Sequence, residues 1–336
     1  MKTIKNYIFL LFLLSAPIFC AGETFMFGPS HLRVNEDGEI IEAKKKEKKP
    51  EPFDNLWAYR ALPSERKLTG KGVTIAIADS GISSHPEFNG KNIQGQDFTL
   101  SGHIGDLKGH GTAVAGVVGA RGMHFTGIAP DAKIIVYKID DGSRLIGPQA
   151  AAAAVNTVIR YNEENPHAPI SVLNLSYGVS NGGFAALSNA INRAREMGVI
   201  VVCPAGNLPY PGVHYPANMT TTLAVGALAS DGTKAYENSS YGKEVDFIAP
   251  GDRVFTAAAD GGYALVSGTS VASGFVTGAA ALAVEGLKKQ LGRFPTADEV
   301  LGVLRKAAVK LPHVPDAKQG NGVIDIKKLE NSFSAK

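Results

Sequence analysis

The sequence predicts an α/β fold: a doubly wound, mostly parallel sheet with helices on both faces. Three observations predict it. Apolar runs alternate with helical patterns, the apolar runs are almost uninterrupted, and several of the helical segments are rich in small residues. Strands that alternate with helices favour parallel pairing, and parallel strands covered on both faces are apolar along their length. The 336 residues, 44% of them apolar, suffice for one large domain.

The first elements illustrate the pattern. Residues 73–78 are apolar or β-branched and predict a buried strand, which ends in a turn at 79–81. Residues 111–120 combine small and β-branched side chains, as expected of a helix packed tightly on a flat surface. A strand at 133–139 and an alanine-rich helix at 149–161 follow.

The alternation continues to the end of the chain. An amphipathic helix at 184–197 is ended by Gly198, a residue suited to helix C-termini. The remaining predicted strands are 170–175, 199–203, 222–227 and 244–248, and the remaining predicted helices are 270–287 and 296–306.

The first 22 residues have the pattern of a secretory signal peptide. Lys2 and Lys5 precede an apolar stretch at 8–19, and small residues follow it. That stretch is too short to cross a bilayer comfortably, so we expect cleavage, no stable membrane span, and a secreted or periplasmic protein. Lipid attachment at Cys20 is the alternative, which the proline and bulky aromatic just before it disfavour.

Residues 23–52 are rich in charge and proline and predict an N-terminal tail or linker, which leaves 53–336 as the folded domain. The lysine run at 44–49 is typical of a solvated linker, and the net charge of +3 is small, so we expect no nucleic-acid partner. Removal of Cys20 with the signal leaves Cys203 without a partner for a disulfide. We expect its thiol to be a buried hydrophobic group.

Four polar residues fall where the predicted scaffold gathers ligands. Asp79 ends its strand, Asn207 follows another strand, and His110 and Ser270 each open a helix. Ligands of open α/β sheets bind at the carboxyl ends of the strands. Each residue has an ordinary structural interpretation when taken alone: a turn residue, a left-handed turn residue, a structural histidine and a helix cap. We expect the four together to form one site.

Their chemistry fits nucleophilic catalysis. A serine hydroxyl needs an adjacent base, and a histidine base needs a carboxylate to hold its tautomer. Ser270 would attack, His110 would take and return the proton, and Asp79 would orient His110. The side-chain amide of Asn207 and the backbone N–H of Ser270 would hold the oxyanion.

The order Asp, His, Ser and the motifs around these residues resemble the subtilisin-like serine proteases, the subtilases (peptidase S8 family). The resemblance runs from about residue 57 to about 287. It rests on the segments Asp79–Ile82, His85–Pro86, Gly109–Gly116, Gly127–Pro130, Asn174–Gly178, Pro204–Asn207 and Ser267–Ala272.

The resemblance implies how a substrate binds. Subtilases pair the substrate backbone as an added strand, and the matching residues here are Ser176, Tyr177 and Gly178. It also implies that Ala205 and Gly206 line one wall of the main specificity pocket. The family's other binding strand falls at 142–146.

Several positions depart from the family. Ala113 stands where a second histidine is usual, Gly274 where proline is usual, and Val271 where many members carry methionine. The segment 116–127 is short and lacks the Asn and Asp ligands of the family's calcium loop, so we expect no strong calcium site there. Glu87 could contribute to a weak one. The segment after Asn207 is short, and residues 23–52 are too few for the usual folding pro-domain.

These observations predict a serine endopeptidase that acts on extended polypeptides as a monomer, with neither metal nor cofactor. A peptide transferase or cyclase on the same site, and a non-catalytic peptide-binding protein on the same scaffold, are the alternatives. A nucleotide-binding domain is disfavoured, because the turn after the first strand lacks the G-x-G-x-x-G pattern.

Overall fold

The computed structural model describes residues 57–60, 62–122, 124–142 and 147–333. It also gives the backbone of two short antiparallel strands upstream, β1 (Arg33–Val34) and β2 (Ile40–Ile41). The predicted signal peptide at 1–22 and most of the predicted tail at 23–52 lie outside the described residues.

A seven-stranded sheet, parallel throughout, forms the centre of the fold. Its strands are β3 (Thr74–Asp79), β4 (Gln94–Asp97), β5 (Lys133–Lys138), β6 (Ile170–Leu175), β7 (Ile200–Pro204), β8 (Leu223–Leu228) and β9 (Val245–Pro250). Their spatial order is β4-β5-β3-β6-β7-β8-β9. Because β3 lies between β5 and β6, the chain changes its direction of growth beside β3, which is where ligands of such sheets gather.

Helices cover both faces of this sheet. They are α1 (His110–Gly119), α2 (Gly147–Glu164), α3 (Ala185–Glu196), α4 (Thr269–Leu291), α5 (Ala297–Ala307), α6 (Asp316–Gln319) and α7 (Ile326–Asn331). Two apolar clusters lie on opposite faces, since successive strand side chains point to opposite sides. In β3, Ile75 and Ile77 pack on the side of α1 and α4, whereas Ala76 and Ala78 pack on the side of α2 and α3. The doubly wound α/β prediction is confirmed.

The long helix α4 runs through the middle of the larger cluster. Its residues from Thr269 to Leu287 are all buried, and Gly292 ends it in a left-handed conformation with φ 70°. Within the described residues, α4 is the one helix long and apolar enough to cross a membrane, and its apolar window is fully buried in the fold. The hydropathy of α4 is therefore accounted for by its place in the core.

The six predicted strands and five predicted helices all form, with ends shifted by at most four residues. Several elements were not predicted. Edge strand β4 has the polar sequence Gln-Gly-Gln-Asp and is largely exposed, so it carries no apolar signal. Two small antiparallel pairs join β10 (Val254–Ala257) to β11 (Tyr263–Val266) and β12 (Ala308–Val309) to β13 (Val323–Ile324). Short 3₁₀ turns at Trp57–Tyr59 and Pro86–Phe88 complete the fold.

Candidate active site

The structure places the four predicted site residues on elements that end or begin at the carboxyl edge of the sheet. Asp79 is the last residue of β3, and Asn207 lies three residues beyond β7. His110 is the first residue of α1, and Ser270 is the second residue of α4. All four are buried, with exposed fractions between 2% and 8%.

Asp79 and His110 form a buried pair. The Nδ1 atom of His110 lies 2.6 Å from Oδ1 of Asp79. The same oxygen accepts the backbone N–H of Ser80 at 2.6 Å. A carboxylate on Nδ1 fixes the proton there, so Nε2 of the neutral ring is left as the basic nitrogen. This is the tautomer that a histidine base requires.

The close approach of α1 to the end of β3 depends on a glycine. A Cβ atom at Gly111 would lie 2.2 Å from the carbonyl oxygen of Gly81 and 3.2 Å from Cβ of Asp79. No larger residue fits there without moving the backbone. Gly111 therefore allows the helix that carries His110 to begin directly against the strand that carries Asp79.

The carboxamide of Asn207 is held by the residue next to Ser270. Its Oδ1 accepts the backbone N–H of Thr269 at 2.8 Å and the Thr269 hydroxyl at 3.0 Å. The hydroxyl oxygen of Thr269 also accepts the N–H of Gly206 at 3.2 Å. With its oxygen turned toward Thr269, the side chain presents its NH₂ group, a donor, on the opposite side.

Ser270 stands at the positive end of α4. The first N–H groups of a helix have no intrahelical acceptor and favour negative charge nearby. The approach to this end is fixed by a hydrogen bond of 2.8 Å from the N–H of Gly268 to the carbonyl of Gly251. The hydroxyl of Ser273 lies 2.7 Å from the carbonyl oxygen of Ser270. The region around the Ser270 hydroxyl is thus suited to binding an anion that develops during a reaction.

Asp106 is a buried carboxylate that the sequence analysis missed. It accepts the Ser80 hydroxyl at 2.8 Å, the N–H of Gly109 at 2.8 Å, and the N–H and hydroxyl of Thr112 at 2.8 and 2.7 Å. Burial alone would raise the pKa of Asp106, but the hydrogen bonds from Thr112, Ser80 and Gly109 outweigh it and lower the pKa. Asp106 therefore ties the first turn of α1 to the residue after Asp79. An Asp shortly before a helix start, suited to an Asx turn, was the available signal.

Asn174 is the second missed residue. It is fully buried in β6, and its Oδ1 lies 2.9 Å from the Ser273 hydroxyl and 3.0 Å from the Thr277 hydroxyl. Its NH₂ group donates to the Ser176 hydroxyl at 2.8 Å. It links the first turns of α4 to the predicted substrate segment. A polar residue inside an apolar strand needs such partners, and that mismatch was the signal.

The predicted substrate-binding residues follow two neighbouring strands. Ser176, Tyr177 and Gly178 come directly after β6 and are half-buried, while Ala205 and Gly206 come directly after β7 and are buried. Within the described part of the chain, the backbone N–H and C=O of Gly178 form no hydrogen bond. Such groups suit strand addition by an extended peptide. Residues 143–146 of the other expected binding strand lie outside the described residues.

Glu87 does not fit a calcium ligand. Its side chain is fully buried and accepts the N–H of Gly122 at 3.1 Å, the N–H of His124 at 2.7 Å and the Tyr263 hydroxyl at 3.2 Å. Protein donors therefore already occupy both carboxylate oxygens. The described residues hold no group of three or more His, Cys, Asp or Glu side chains placed to bind a metal.

Comparison with known proteins finds relatives of this chain among proteases. A family model described as the Subtilase family matches residues 70–322. The alkaline protease of Alkalihalobacillus alcalophilus is 35% identical over 223 residues, which are 65% of this chain and 55% of that protein. Subtilisin Savinase of Lederbergia lenta is 35% identical over 223 residues, 65% of this chain and 78% of that protein. The crystal structure of a lanthipeptide protease is similar with a TM-score of 0.72 and 25% identity, and the match covers 83% of this chain and 95% of that one.

Proposed function

The chain belongs to the subtilase family, and on that premise we propose that it is a serine endopeptidase that hydrolyses peptide bonds of extended polypeptides. The observation that carries the proposal is the buried contact of 2.6 Å between Asp79 and His110. This pair supplies an oriented base at the sheet edge where α4 presents a serine. The match covers only part of the alkaline protease, 55% of its length, so the activity is proposed from the site of this chain.

In the proposed reaction the Ser270 hydroxyl attacks the carbonyl carbon of the substrate. His110 takes the hydroxyl proton on Nε2, and Asp79 stabilises the imidazolium that forms. The Asn207 NH₂ group and the backbone N–H of Ser270 hold the oxyanion. His110 then protonates the leaving amine, which departs and leaves an acyl-enzyme. Water attacks this ester with His110 again as base, and the acid is released.

Substrate recognition is proposed at the segment Ser176, Tyr177 and Gly178. An extended peptide paired with this segment brings its scissile carbonyl toward α4, because Asn174 joins Ser176 to Ser273 in the first turn of that helix. Strand addition uses the peptide backbone, so it accepts many sequences. Ala205 and Gly206 form the neighbouring wall.

The experiment uses purified protein with casein as the substrate. Wild-type protein should cleave casein and be labelled by a fluorophosphonate. Ser270→Ala should abolish both, and Asn207→Ala should lower kcat by about 10²–10³-fold, a loss known from subtilisin, a relative of this chain. Ser332→Ala, an exposed serine at the end of α7, is the matched control. Wild-type protein that neither labels nor cleaves would leave the non-catalytic peptide-binding alternative.

The same acyl-enzyme would serve a peptide transferase or cyclase if an amine replaced water as the attacking group. One structural relative is a lanthipeptide protease, a protein that acts on a peptide. Mass spectrometry of the products distinguishes the two outcomes: hydrolysis adds the mass of water, whereas transfer joins two peptides or closes a ring.

The remaining proposals concern the whole chain. We propose export by the segment 1–22, a catalytic domain at 53–336, and a monomer that needs no cofactor. The N-terminal pattern lies outside the described residues and is the support for export. Intact-mass measurement of the exported protein tests it, since cleavage near residue 21 and a lipid on Cys20 give different masses.

A further inference from the structure

His214 lies between the two segments that follow β6 and β7. A Cβ atom at Gly206 would lie 2.5 Å from Cγ and Cδ2 of the His214 ring, and Gly206 itself has φ 111°. On the other side, a Cβ atom at Gly178 would lie 3.6 Å from Cβ of His214 and 3.8 Å from Nδ1. The backbone N–H of His214 donates to the carbonyl of Ala205 at 2.9 Å. The imidazole therefore occupies the gap between these two glycines.

This gap is where one substrate side chain must go. In the proposed reaction the attacked carbonyl carbon lies at Ser270, and its oxygen lies at the Asn207 NH₂ group. The residue that contributes this carbonyl, here called the acyl-side residue, thus lies beside Gly206, which directly precedes Asn207. Its backbone pairs with the segment that contains Gly178. Its side chain is directed into the space between Gly178 and Gly206.

That space is already filled. His214 is only 2% exposed. An open pocket would expose the ring at its floor to solvent. The ring Nδ1 is buried and forms no hydrogen bond with any described residue. Burial lowers the pKa of His214, so the ring is neutral near neutral pH and does not attract acidic side chains by charge.

We propose that His214 determines specificity by filling the main pocket and restricting the acyl-side residue to glycine, alanine or serine. The inference rests on the proposed function and names the substrate class of the same site. A serine at this position brings a hydroxyl within reach of the otherwise unsatisfied Nδ1. Branched, aromatic and charged side chains would have to displace the ring, which packs against Gly206 and whose backbone donates to the Ala205 carbonyl.

The test is a series of peptide p-nitroanilides that differ only in the acyl-side residue: alanine, serine, leucine, phenylalanine and glutamate. Wild-type protein should have a kcat/KM for alanine about 10²-fold or more above that for phenylalanine, because a pocket that lacks the volume rejects the larger side chain. His214→Gly should shift the phenylalanine-to-alanine ratio of kcat/KM upward by about 10²-fold. His214→Ala should shift it in the same direction.

His167→Gly is the matched control, since His167 is exposed and lies just before β6, at the opposite edge of the sheet. It should leave the ratio unchanged. Each preparation is titrated with diisopropyl fluorophosphate, so that rates refer to folded, reactive protein. A wild-type profile that favours phenylalanine or leucine would overturn the inference without any variant, and so would an unchanged ratio in a folded His214→Gly.

Failure of this inference and failure of the proposed function give different results. Protein that is labelled but prefers phenylalanine or leucine as the acyl-side residue overturns the role of His214 and leaves the endopeptidase proposal standing. Protein that is neither labelled nor active on any member of the series overturns both.

Discussion

The Oδ1 atom of Asn207 accepts two hydrogen bonds from Thr269, at 2.8 Å from its N–H and 3.0 Å from its hydroxyl. Thr269 directly precedes Ser270 and begins α4. The proposed oxyanion donor and the proposed nucleophile are thereby fixed to the same helix end. The two hydrogen bonds thereby couple the orientation of the Asn207 carboxamide to the first turn of α4.

Thr269→Val should lower kcat by about tenfold and change KM little. The substitution keeps the shape of this fully buried residue but removes both hydrogen bonds of its hydroxyl, one donated to Asn207 and one accepted from the N–H of Gly206. The bond to Asn207 matters most when the oxyanion forms. Steady-state kinetics on a peptide p-nitroanilide with alanine as the acyl-side residue check the prediction. Thr157→Val in α2 is the control, since among the described residues its hydroxyl bonds only to Ala153 and Arg160, both in that helix. An unchanged kcat would show that the Thr269 hydroxyl does not orient Asn207.

Asp106→Asn should reduce the free energy of unfolding at pH 7 by about 2 kcal/mol, because the buried carboxylate accepts hydrogen bonds that an amide cannot all replace. The folded-state pKa is lowered below the ordinary value of 3.8. The stabilisation is therefore complete above pH 3.8 and is lost as the pH falls through the folded-state pKa.

Urea unfolding in a Ser270→Ala background, which prevents self-digestion, measures this difference between pH 7 and pH 3. The difference in the free energy of unfolding between Asp106→Asn and its parent should become smaller below pH 4. Asp298→Asn, at an aspartate whose side chain is 88% exposed, is the control. A difference in the free energy of unfolding of the same size at both pH values would contradict the stabilising role of the Asp106 carboxylate.

Calcium removal should leave the thermal unfolding midpoint of the protein unchanged. A ligand stabilises the folded state only when it binds, and the oxygens of Glu87 already accept protein donors. Differential scanning calorimetry with EDTA and with millimolar calcium checks this in the Ser270→Ala background. A midpoint that rises with calcium would reveal a site that the described residues do not account for.

Brief treatment with hydrogen peroxide should leave activity largely intact. Val271, next to Ser270, is fully buried and has no sulfur to oxidise. Val271→Met is the informative variant, because a sulfoxide beside the nucleophile would be polar and bulky. It should lose activity faster than wild type under the same treatment. If wild type and Val271→Met lose activity equally fast, the oxidation-sensitive group does not lie at position 271.

Cys203 should resist alkylation while the protein is folded. Burial in β7 raises the pKa of its thiol far above the ordinary value, so little thiolate forms. Iodoacetamide at pH 8, followed by peptide mapping, should modify Cys203 in urea and not in native buffer. Modification in native buffer would mean that β7 opens readily.

The sequence sufficed for the central elements because their burial leaves an apolar signature. Ile170–Leu175 was predicted to the residue, since parallel strands covered on both faces are apolar along their length. The edge strand Gln94–Asp97 was not predicted, because only one side of it pairs and its side chains are largely exposed. Its pairing with β5 is decided by the fold as a whole.

The site divides in a similar way. Asp79, His110, Asn207 and Ser270 could be singled out because their chemistry demands those residue types beside glycines. Asp106, Asn174 and His214 each contact residues that are remote along the chain, such as Ser80 with Asp106 and Gly178 with His214. A local pattern marks Asp106 and Asn174 as polar residues that need partners, but it does not identify the remote partners. The proposed supporting and specificity residues are therefore found from the three-dimensional structure, whereas the proposed reacting groups are found from the sequence.

The burial of α4 determines at which stage of folding the proposed active site is complete. Thr269–Leu291 packs on β6, β7, β8 and β9, so its first turn is positioned only after nearly the entire sheet exists. A nascent chain that still lacks α4 can hold Asp79 and His110 but not the proposed nucleophile, Ser270. We therefore expect the proposed peptidase activity to appear only after α4 has packed on the sheet.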